Sequence, residues 1–204
     1  DEQGDAGWLK SLEAVLAETA VAVTAARQAL IRDLNEEAEN GWLGFPGVRL
    51  ELVGDTEQWL GGMPALQVED KLIAATETAR LAGDTAMPGP HVSDLQATHL
   101  ASQTPAYLAS TGQQKALLIA VVLAHARLQE RRLGKSPLML LDDVVAHLDA
   151  DRRSALFEAV SLLGGQCWYS GSDGQQFDDL MGKAQFVSVQ PASLYDQTPE
   201  FEVK

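Results

Sequence analysis

Residues 110–153 read STGQQKALLIAVVLAHARLQERRLGKSPLMLLDDVVAHLDADRR, a succession of helical and strand-like segments. A long apolar run follows Gly112 and continues to Arg132, and this pattern predicts a buried helix. The segment 134–137 interrupts it with glycine and proline. The next four residues, 138–141, are all apolar and predict a short buried strand that ends in two acids.

The flanking residues continue this alternation. Residues 150–163 predict a further helix, and residues 166–169 and 185–189 predict two more short strands. Helices that alternate with strands are typical of a parallel sheet flanked by helices. The second half of the chain is therefore predicted to be α/β.

The first half has a different character. Residues 8–40 form one amphipathic pattern without Pro or Gly, which predicts a helix about 50 Å long. Residues 48–52 alternate apolar and charged and predict a half-buried strand, and residues 65–82 predict a second helix. Residues 83–90, GDTAMPGP, contain the most helix-breaking residues and predict a domain boundary.

The composition excludes several classes of protein. The chain has 204 residues, of which 46% are hydrophobic and 22% charged, so it has enough apolar surface to fold. The single cysteine excludes an internal disulfide framework and a multi-cysteine zinc site. No apolar run reaches the roughly 18–20 residues of a membrane span. These features predict a cytoplasmic protein without a membrane partner.

The charge is strongly negative but unevenly distributed. The net charge is −14, which by itself would repel DNA. Residues 110–153 hold seven Lys/Arg against five Asp/Glu, a net of +2, whereas the remaining residues carry −16. In that stretch Arg127 and Arg131 are four residues apart on one helical face, which suits either DNA phosphate or solvent.

Asp142 and Asp143 follow the predicted strand directly. In open α/β sheets, ligands bind at the carboxyl ends of the strands. One carboxylate there can hold a nucleotide-bound Mg²⁺, and the next can orient or deprotonate an attacking water. The alternative is an ordinary acidic turn, which this short pattern alone favours.

The segment 110–115, STGQQK, stands at the start of the predicted buried helix. Ser110 can cap the helix, and Gly112 permits close approach to the backbone. Free N–H groups and the helix dipole then favour a phosphate group. The alternative is an ordinary helix cap, which again is favoured when the segment is taken alone.

Taken in order, these motifs are far more specific. The chain resembles ABC-type ATPase heads at three motifs, which occur in the same order. STGQQK before the buried helix resembles the signature motif, and LMLLDD resembles the Walker B strand. The segment 146–149 (AHLD), followed by Arg152-Arg153, resembles the D-loop. The resemblance is strongest to the RecF family of recombination-repair ATPases. Upstream, residues 89–95, GPHVSDL, resemble the family's Gly-Pro-His-Arg-Asp-Asp segment, and the long first helix resembles one limb of its arm.

The resemblance implies a fold, a domain division and site residues. The fold is α/β, half of an ABC-ATPase-type head with a mostly parallel sheet, plus a helical arm subdomain. The arm would occupy residues 1–87 and the carboxyl-terminal lobe of the head residues 88–204. Asp142 would hold Mg²⁺ and Asp143 would act as general base. The residues that would contact ATP in trans are Ser110, Thr111, Gly112 and Gln113, and those of the D-loop are His147 and Asp149.

The resemblance also implies a function. RecF-like proteins bind ATP, dimerise head to head, hold gapped or junction DNA and hydrolyse ATP slowly. They work with RecR-like and RecA-like proteins in replication, repair and the SOS response. The expected cofactors are therefore ATP and Mg²⁺, and the expected partners are DNA, those repair proteins and a second copy of the chain.

The chain departs from the family pattern at three places. It contains no G-x-x-x-x-G-K-[ST] phosphate loop, so it is expected to be the carboxyl-terminal part of a RecF-like protein and inactive as an ATPase alone. Val92 and Ser93 replace the Arg and Asp of the upstream segment. Many ABC heads have a histidine after the next strand, and here either Ser170 or Ser172 would take its place.

Two other functions stay open at the level of sequence. The chain can be a non-enzymatic acidic interaction module whose ABC motifs are vestigial. It can also be another SMC-like head, although the short arm disfavours this because SMC-like heads carry coiled coils of hundreds of residues.

Overall fold

The computed structural model describes residues 2–83, 87–189 and 201–203, and it divides into two compact units. Unit 1 is Asp1–Ser136 and unit 2 is Pro137–Lys204. The predicted boundary at 83–90 lies inside unit 1, because strands from both sides of it pair with each other. The assignment of residues 1–87 and 88–204 to an arm and a head lobe stays a prediction.

Three helices form one layer of unit 1. They are α1 (Glu2–Ala38), α2 (Asp55–Gly62) and α3 (Ala65–Ala82). The predicted helices 8–40 and 65–82 are present, whereas α2 was not predicted. Ala17 and Val21 of α1 pack against Val68 and Leu72 of α3, because apolar residues spaced three and four apart share one helical face.

An antiparallel sheet forms the other layer of unit 1. It consists of β1 (Val48–Val53), β2 (Asp94–His99) and β3 (Thr104–Pro105), in that spatial order. The Asn35 side chain of α1 forms two hydrogen bonds with the backbone of the outer strand β1. Asn35 donates to the Leu50 carbonyl at 2.9 Å and accepts from the Leu50 N–H at 2.8 Å, and so satisfies two backbone groups that face away from β2.

The helix that follows the signature segment completes unit 1. A 3₁₀ turn at Ala106–Leu108 leads into α4 (Thr111–Leu133), which begins five residues earlier than the apolar run Ala116–Leu128 by itself suggests. Leu117, Leu123 and Leu128 of α4 are fully buried. Gly134 ends the helix in the left-handed conformation, with φ 67°.

Within the described residues, the segment Gly7–Ala38 of α1 is by length and composition apolar enough to cross a membrane. Core helices of globular proteins satisfy the same criterion. Here α1 buries Ala17, Val21 and Leu34, and the buried carboxylate of Glu13 pairs with Arg80 of α3 at 2.8 Å. These contacts join α1 to unit 1, although only 17% of its most apolar segment is buried.

Unit 2 is built on a parallel strand pair. β4 (Met139–Leu141) and β5 (Cys167–Tyr169) pair in parallel, and α5 (Ala150–Leu163) makes the crossover between them. A 3₁₀ segment at Gly174–Leu180 was not predicted. Two further strands, β6 (Val187–Val189) and β7 (Phe201–Val203), pair antiparallel. The α/β class is confirmed, although the parallel pairing in the described residues is confined to β4 and β5.

The prediction of a fully buried strand at 138–141 is wrong for one of its faces. Met139 is buried, but Leu140 is 71% exposed and its register partner Trp168 is 55% exposed. Alternate residues of a strand point to opposite faces. The face that includes Tyr169 packs against Phe157 of α5, whereas the face of Leu140 and Trp168 has no such cover among the described residues of unit 2.

Candidate functional site

The two acids of the Walker B-like segment lie at the carboxyl end of β4, as the sequence predicts. Both Asp142 and Asp143 are exposed. Ser170, the first residue after β5, reaches both of them. Its hydroxyl donates to Oδ1 of Asp142 and accepts from the backbone N–H of Asp143 at 3.0 Å. The site in unit 2 therefore consists of three residues, two from one strand end and one from its parallel neighbour.

Asp143 has an uncommon backbone conformation. Its φ is +50°, in the left-handed region, where aspartate is found more often than most non-glycine residues. The chain turns sharply there and leaves the direction of β4. The N–H of Asp143 is held by Ser170 at the same point, so the hydrogen bond and the turn support each other.

The D-loop-like segment joins this strand end to α5. Val145 and Leu148 are buried and anchor a short 3₁₀ turn at Val145–His147. Asp149 caps α5, because its Oδ1 accepts from the Arg152 N–H at 2.8 Å. The side chain of His147 lies outside the described part of the chain. The predicted roles of His147 and Asp149 at a dimer interface stay predictions.

The signature-like segment forms a capping box at the start of α4. Ser110 Oγ accepts from the Gln113 N–H at 3.3 Å, and Gln113 Oε1 accepts from the Ser110 N–H at 3.0 Å. Thr111 and Gly112 are exposed in the first turn, and a Cβ placed on Gly112 would meet nothing within 4 Å. This helix start therefore leaves open space beside its first N–H groups, as a phosphate site requires.

Ser110→Ala is expected to lower the free energy of unfolding by about 1 kcal/mol, because the hydroxyl accepts from the Gln113 N–H and donates to Gln113 Oε1, and both bonds are lost. Ser110→Asn is expected to change it much less, since asparagine is an equally good cap. Urea unfolding followed by circular dichroism measures both variants. An equal loss for the two variants would show that the capping box does not stabilise α4.

Residues 89–95 are held in place by contacts with α1 and α2. Arg27 of α1 donates to the Pro90 carbonyl at 2.5 Å. Ser93 donates to Oε2 of the buried Glu57 at 2.7 Å. Ser93, which replaces an acid of the family pattern, thus supplies the donor that a buried carboxylate needs.

The arginines near the end of α4 are already paired with acids of α1. Arg127 contacts Glu37 at 2.8 Å, and Arg131 contacts Glu36 at 3.1 Å and Glu37 at 3.3 Å. Arg132 pairs with Asp33. Arg131 and Arg132 remain about half exposed to solvent, so the solvated face is present, and the contact with DNA stays a prediction. Because acids of α1 lie beside all three arginines, the net positive charge of this face is smaller than the sequence of α4 suggests.

The aspartates at the end of β4 fit a magnesium ion that is held mainly by water and phosphate oxygens. The described residues contain no cluster of three or more His, Cys, Asp or Glu side chains. Mg²⁺ in nucleotide sites needs only one or two carboxylates, since water and phosphate supply the other oxygens. Asp142 suits this use, because Ser170 engages one carboxylate oxygen and the side chain remains exposed.

The cysteine of β5 does not have the properties of a nucleophile. Burial raises the pKa of the Cys167 thiol, and burial likewise raises the pKa of the neighbouring Tyr169 phenol. A raised pKa reduces the fraction of reactive thiolate at neutral pH. Cys167 is therefore a packing residue of unit 2.

The fold has the architecture of half of an ABC-ATPase-type head. No family model matches the chain. Curated proteins named DNA replication and repair protein RecF do match it. The relative from Mesorhizobium japonicum is 41% identical over 197 residues, which are 93% of this chain and 51% of the relative. The relative from Brucella abortus is 39% identical and is covered to 52%. Over the region that it spans, the chain is similar to these RecF proteins.

The solved structures agree on the fold. A structure of the recombination mediator protein RecF with ATPrS in the RecFOR pathway superposes with a TM-score of 0.65 at 20% identity, covering 82% of this chain and 46% of that one. A RecF–ATP structure gives a TM-score of 0.62. The chain spans about half the length of the curated relatives that it matches. The predicted resemblance to the carboxyl-terminal part of a RecF-family protein is confirmed.

Proposed function

We propose that this chain supplies the Walker B and signature-motif half of an ATP site in a RecF-type recombination-repair protein. The observation that supports it most directly is the placement of the three motifs. The signature segment caps a long helix, the two aspartates end a parallel strand, and the D-loop opens the crossover helix. Relatives named RecF, and a RecF structure described with ATP, support the same assignment.

Each site residue then has a distinct task. Bound Mg²⁺–ATP supplies the reactive phosphate and the cation that offsets its charge. Asp142 offers a carboxylate oxygen to the cation. Asp143 accepts the proton of the attacking water as general base. The exposed first turn of α4, with Ser110, Thr111, Gly112 and Gln113, orients the terminal phosphate of a nucleotide held by the opposite subunit.

The cellular task that follows is ATP-controlled DNA binding. Head dimerisation around two nucleotides holds gapped DNA in the cytoplasm, slow hydrolysis releases it, and RecR-like and RecA-like proteins act with the dimer. The net charge of −14 and the paired arginines of α4 indicate that this chain contributes little of the DNA-binding surface. The complementary half supplies most of that surface.

Calorimetry with Mg²⁺–ATP at millimolar concentration tests the half-site. The 204-residue chain alone is expected to show no binding, because it lacks the G-x-x-x-x-G-K-[ST] loop. The same chain, reconstituted with the complementary half of a RecF relative, is expected to bind. Clear binding by the isolated, folded chain would reveal a phosphate site elsewhere and refute the half-site. No binding by a folded reconstituted protein would refute the proposed ATP function.

A further inference from the structure

We propose that Ser170 is a positioning residue that holds both Walker B aspartates through one hydroxyl group. The roles of the two aspartates rest on the function proposed above, but the contacts of Ser170 do not. Ser170 follows the neighbouring strand β5, whereas the two aspartates follow β4. Its role is to orient the Asp142 carboxylate and to fix the backbone of Asp143.

The position of Ser170 is set by the parallel strand pair. Leu141 of β4 lies opposite Tyr169 of β5. Ser170 N–H then donates to the Leu141 carbonyl at 3.1 Å and adds one more bond to the ladder. This bond places the Ser170 side chain next to the first residue beyond β4. The hydroxyl therefore meets Asp142 because of the strand register and not through a flexible loop.

The packing behind Ser170 keeps this turn in place. Tyr169 packs edge-on against Phe157 of α5, with ring centroids 5.3 Å apart. On the other side, a Cβ at Gly171 would lie 2.9 Å from the ring of Phe177, so only glycine permits the observed approach. Residues 169–171 are thus held by two aromatic contacts, and Ser170 has little freedom to move away from the aspartates.

A hydroxyl group can make both bonds at once, and few other groups can. A serine has one proton to donate and lone pairs to accept. It donates to Asp142 Oδ1 and accepts from Asp143 N–H. The first bond engages one oxygen of the Asp142 carboxylate. The second bond holds the amide of a residue whose φ is +50°.

Ser170 and Ser172 were equivalent candidates in the sequence, and the structure separates them. Ser172 is exposed, and no side-chain hydrogen bond involves it in the described part of the chain. Ser172→Ala is therefore the matched control for Ser170→Ala, since both changes remove one hydroxyl from the same turn. Ser170→Thr keeps the hydroxyl and serves as the conservative variant.

Amide hydrogen exchange by NMR on the 204-residue chain tests the contacts directly. Ser170→Ala is expected to accelerate exchange of the Asp143 amide about 10-fold, as the loss of one hydrogen bond predicts. Ser172→Ala is expected to leave it unchanged, and Ser170→Thr to restore it. Circular dichroism confirms that each variant is folded. Unchanged Asp143 exchange in folded Ser170→Ala would overturn the proposal.

Turnover by the protein reconstituted with the complementary half of a RecF relative tests the consequence. Ser170→Ala is expected to lower kcat about 10-fold with little change in KM, and Ser170→Thr to recover it, because metal-site partners of this type contribute about 10- to 100-fold. An unchanged kcat would show that the hydrogen bonds of Ser170 are only structural, and it would overturn the positioning role. Absence of turnover in the unaltered reconstituted protein would refute the proposed function, while the exchange result still decides whether Ser170 holds Asp143.

Discussion

Asp143→Asn is expected to lower the kcat of ATP hydrolysis by about 10²- to 10⁴-fold in the reconstituted protein, the usual contribution of a general base. Asparagine has nearly the same shape as aspartate and can keep the backbone turn at φ +50°, since it also tolerates the left-handed region. The loss would therefore report the missing proton acceptor and not a misfolded strand end. Steady-state phosphate release measures it, and ATP binding is expected to persist.

Glu158→Gln is the matched control for this change. It removes one carboxylate from an exposed position of α5 in the same unit, away from the three site residues. Its kcat is expected to equal that of the unaltered protein. If Asp143→Asn left turnover unchanged, Asp143 would not be the general base. That result would support the alternative function, a non-enzymatic acidic interaction module with vestigial ABC motifs.

The sequence predicted most reliably those elements whose ends carry their own signals. Helix α3 spans Ala65–Ala82 and α5 spans Ala150–Leu163, the predicted bounds. In each case a glycine in the left-handed conformation follows directly, Gly83 with φ 71° and Gly164 with φ 67°. Ser110 was predicted as a helix cap and is one. The capping residues next to a helix are therefore sufficient to predict where it ends.

Features that depend on a distant partner were missed. Helix α2 was not predicted, and its Glu57 is buried and accepts a hydrogen bond from Ser93 of another segment. Leu140 looked like a core residue, but the burial of a strand face depends on what packs over it. The arginines of α4 gave no sequence signal for their partners on α1, about 90 residues away.

The candidate site also contains residues that a local sequence pattern predicts and one residue that depends on a distant strand. Asp142 and Asp143 could be chosen from sequence, because two acids directly after an apolar strand form a local pattern. Ser170 could only be offered beside Ser172, because the register between β4 and β5 decides which hydroxyl reaches the aspartates. A shift of two residues in that pairing would exchange their roles. Strand register is therefore the information that the sequence pattern lacked.

Phe157→Ala is expected to lower the free energy of unfolding by about 3–5 kcal/mol, the range for removing a buried aromatic ring. Phe157 is 6% exposed and contacts both Tyr169 and Phe177, with ring centroids at 5.3 and 6.3 Å. The cavity left by the ring would adjoin the end of β5. Urea unfolding followed by circular dichroism measures the loss.

Leu162→Ala provides the comparison, because Leu162 is on the same helix but 63% exposed. Its effect is expected to stay within about 0.5 kcal/mol, as for other surface positions. Similar losses for the two variants would show that the aromatic cluster is not the core of unit 2. If Phe157→Ala remains folded, exchange of the Asp143 amide should also accelerate. Phe157 supports Tyr169, Tyr169 precedes Ser170, and Ser170 holds Asp143, so the stability of the core and the geometry of the proposed ATP site are linked through one strand end.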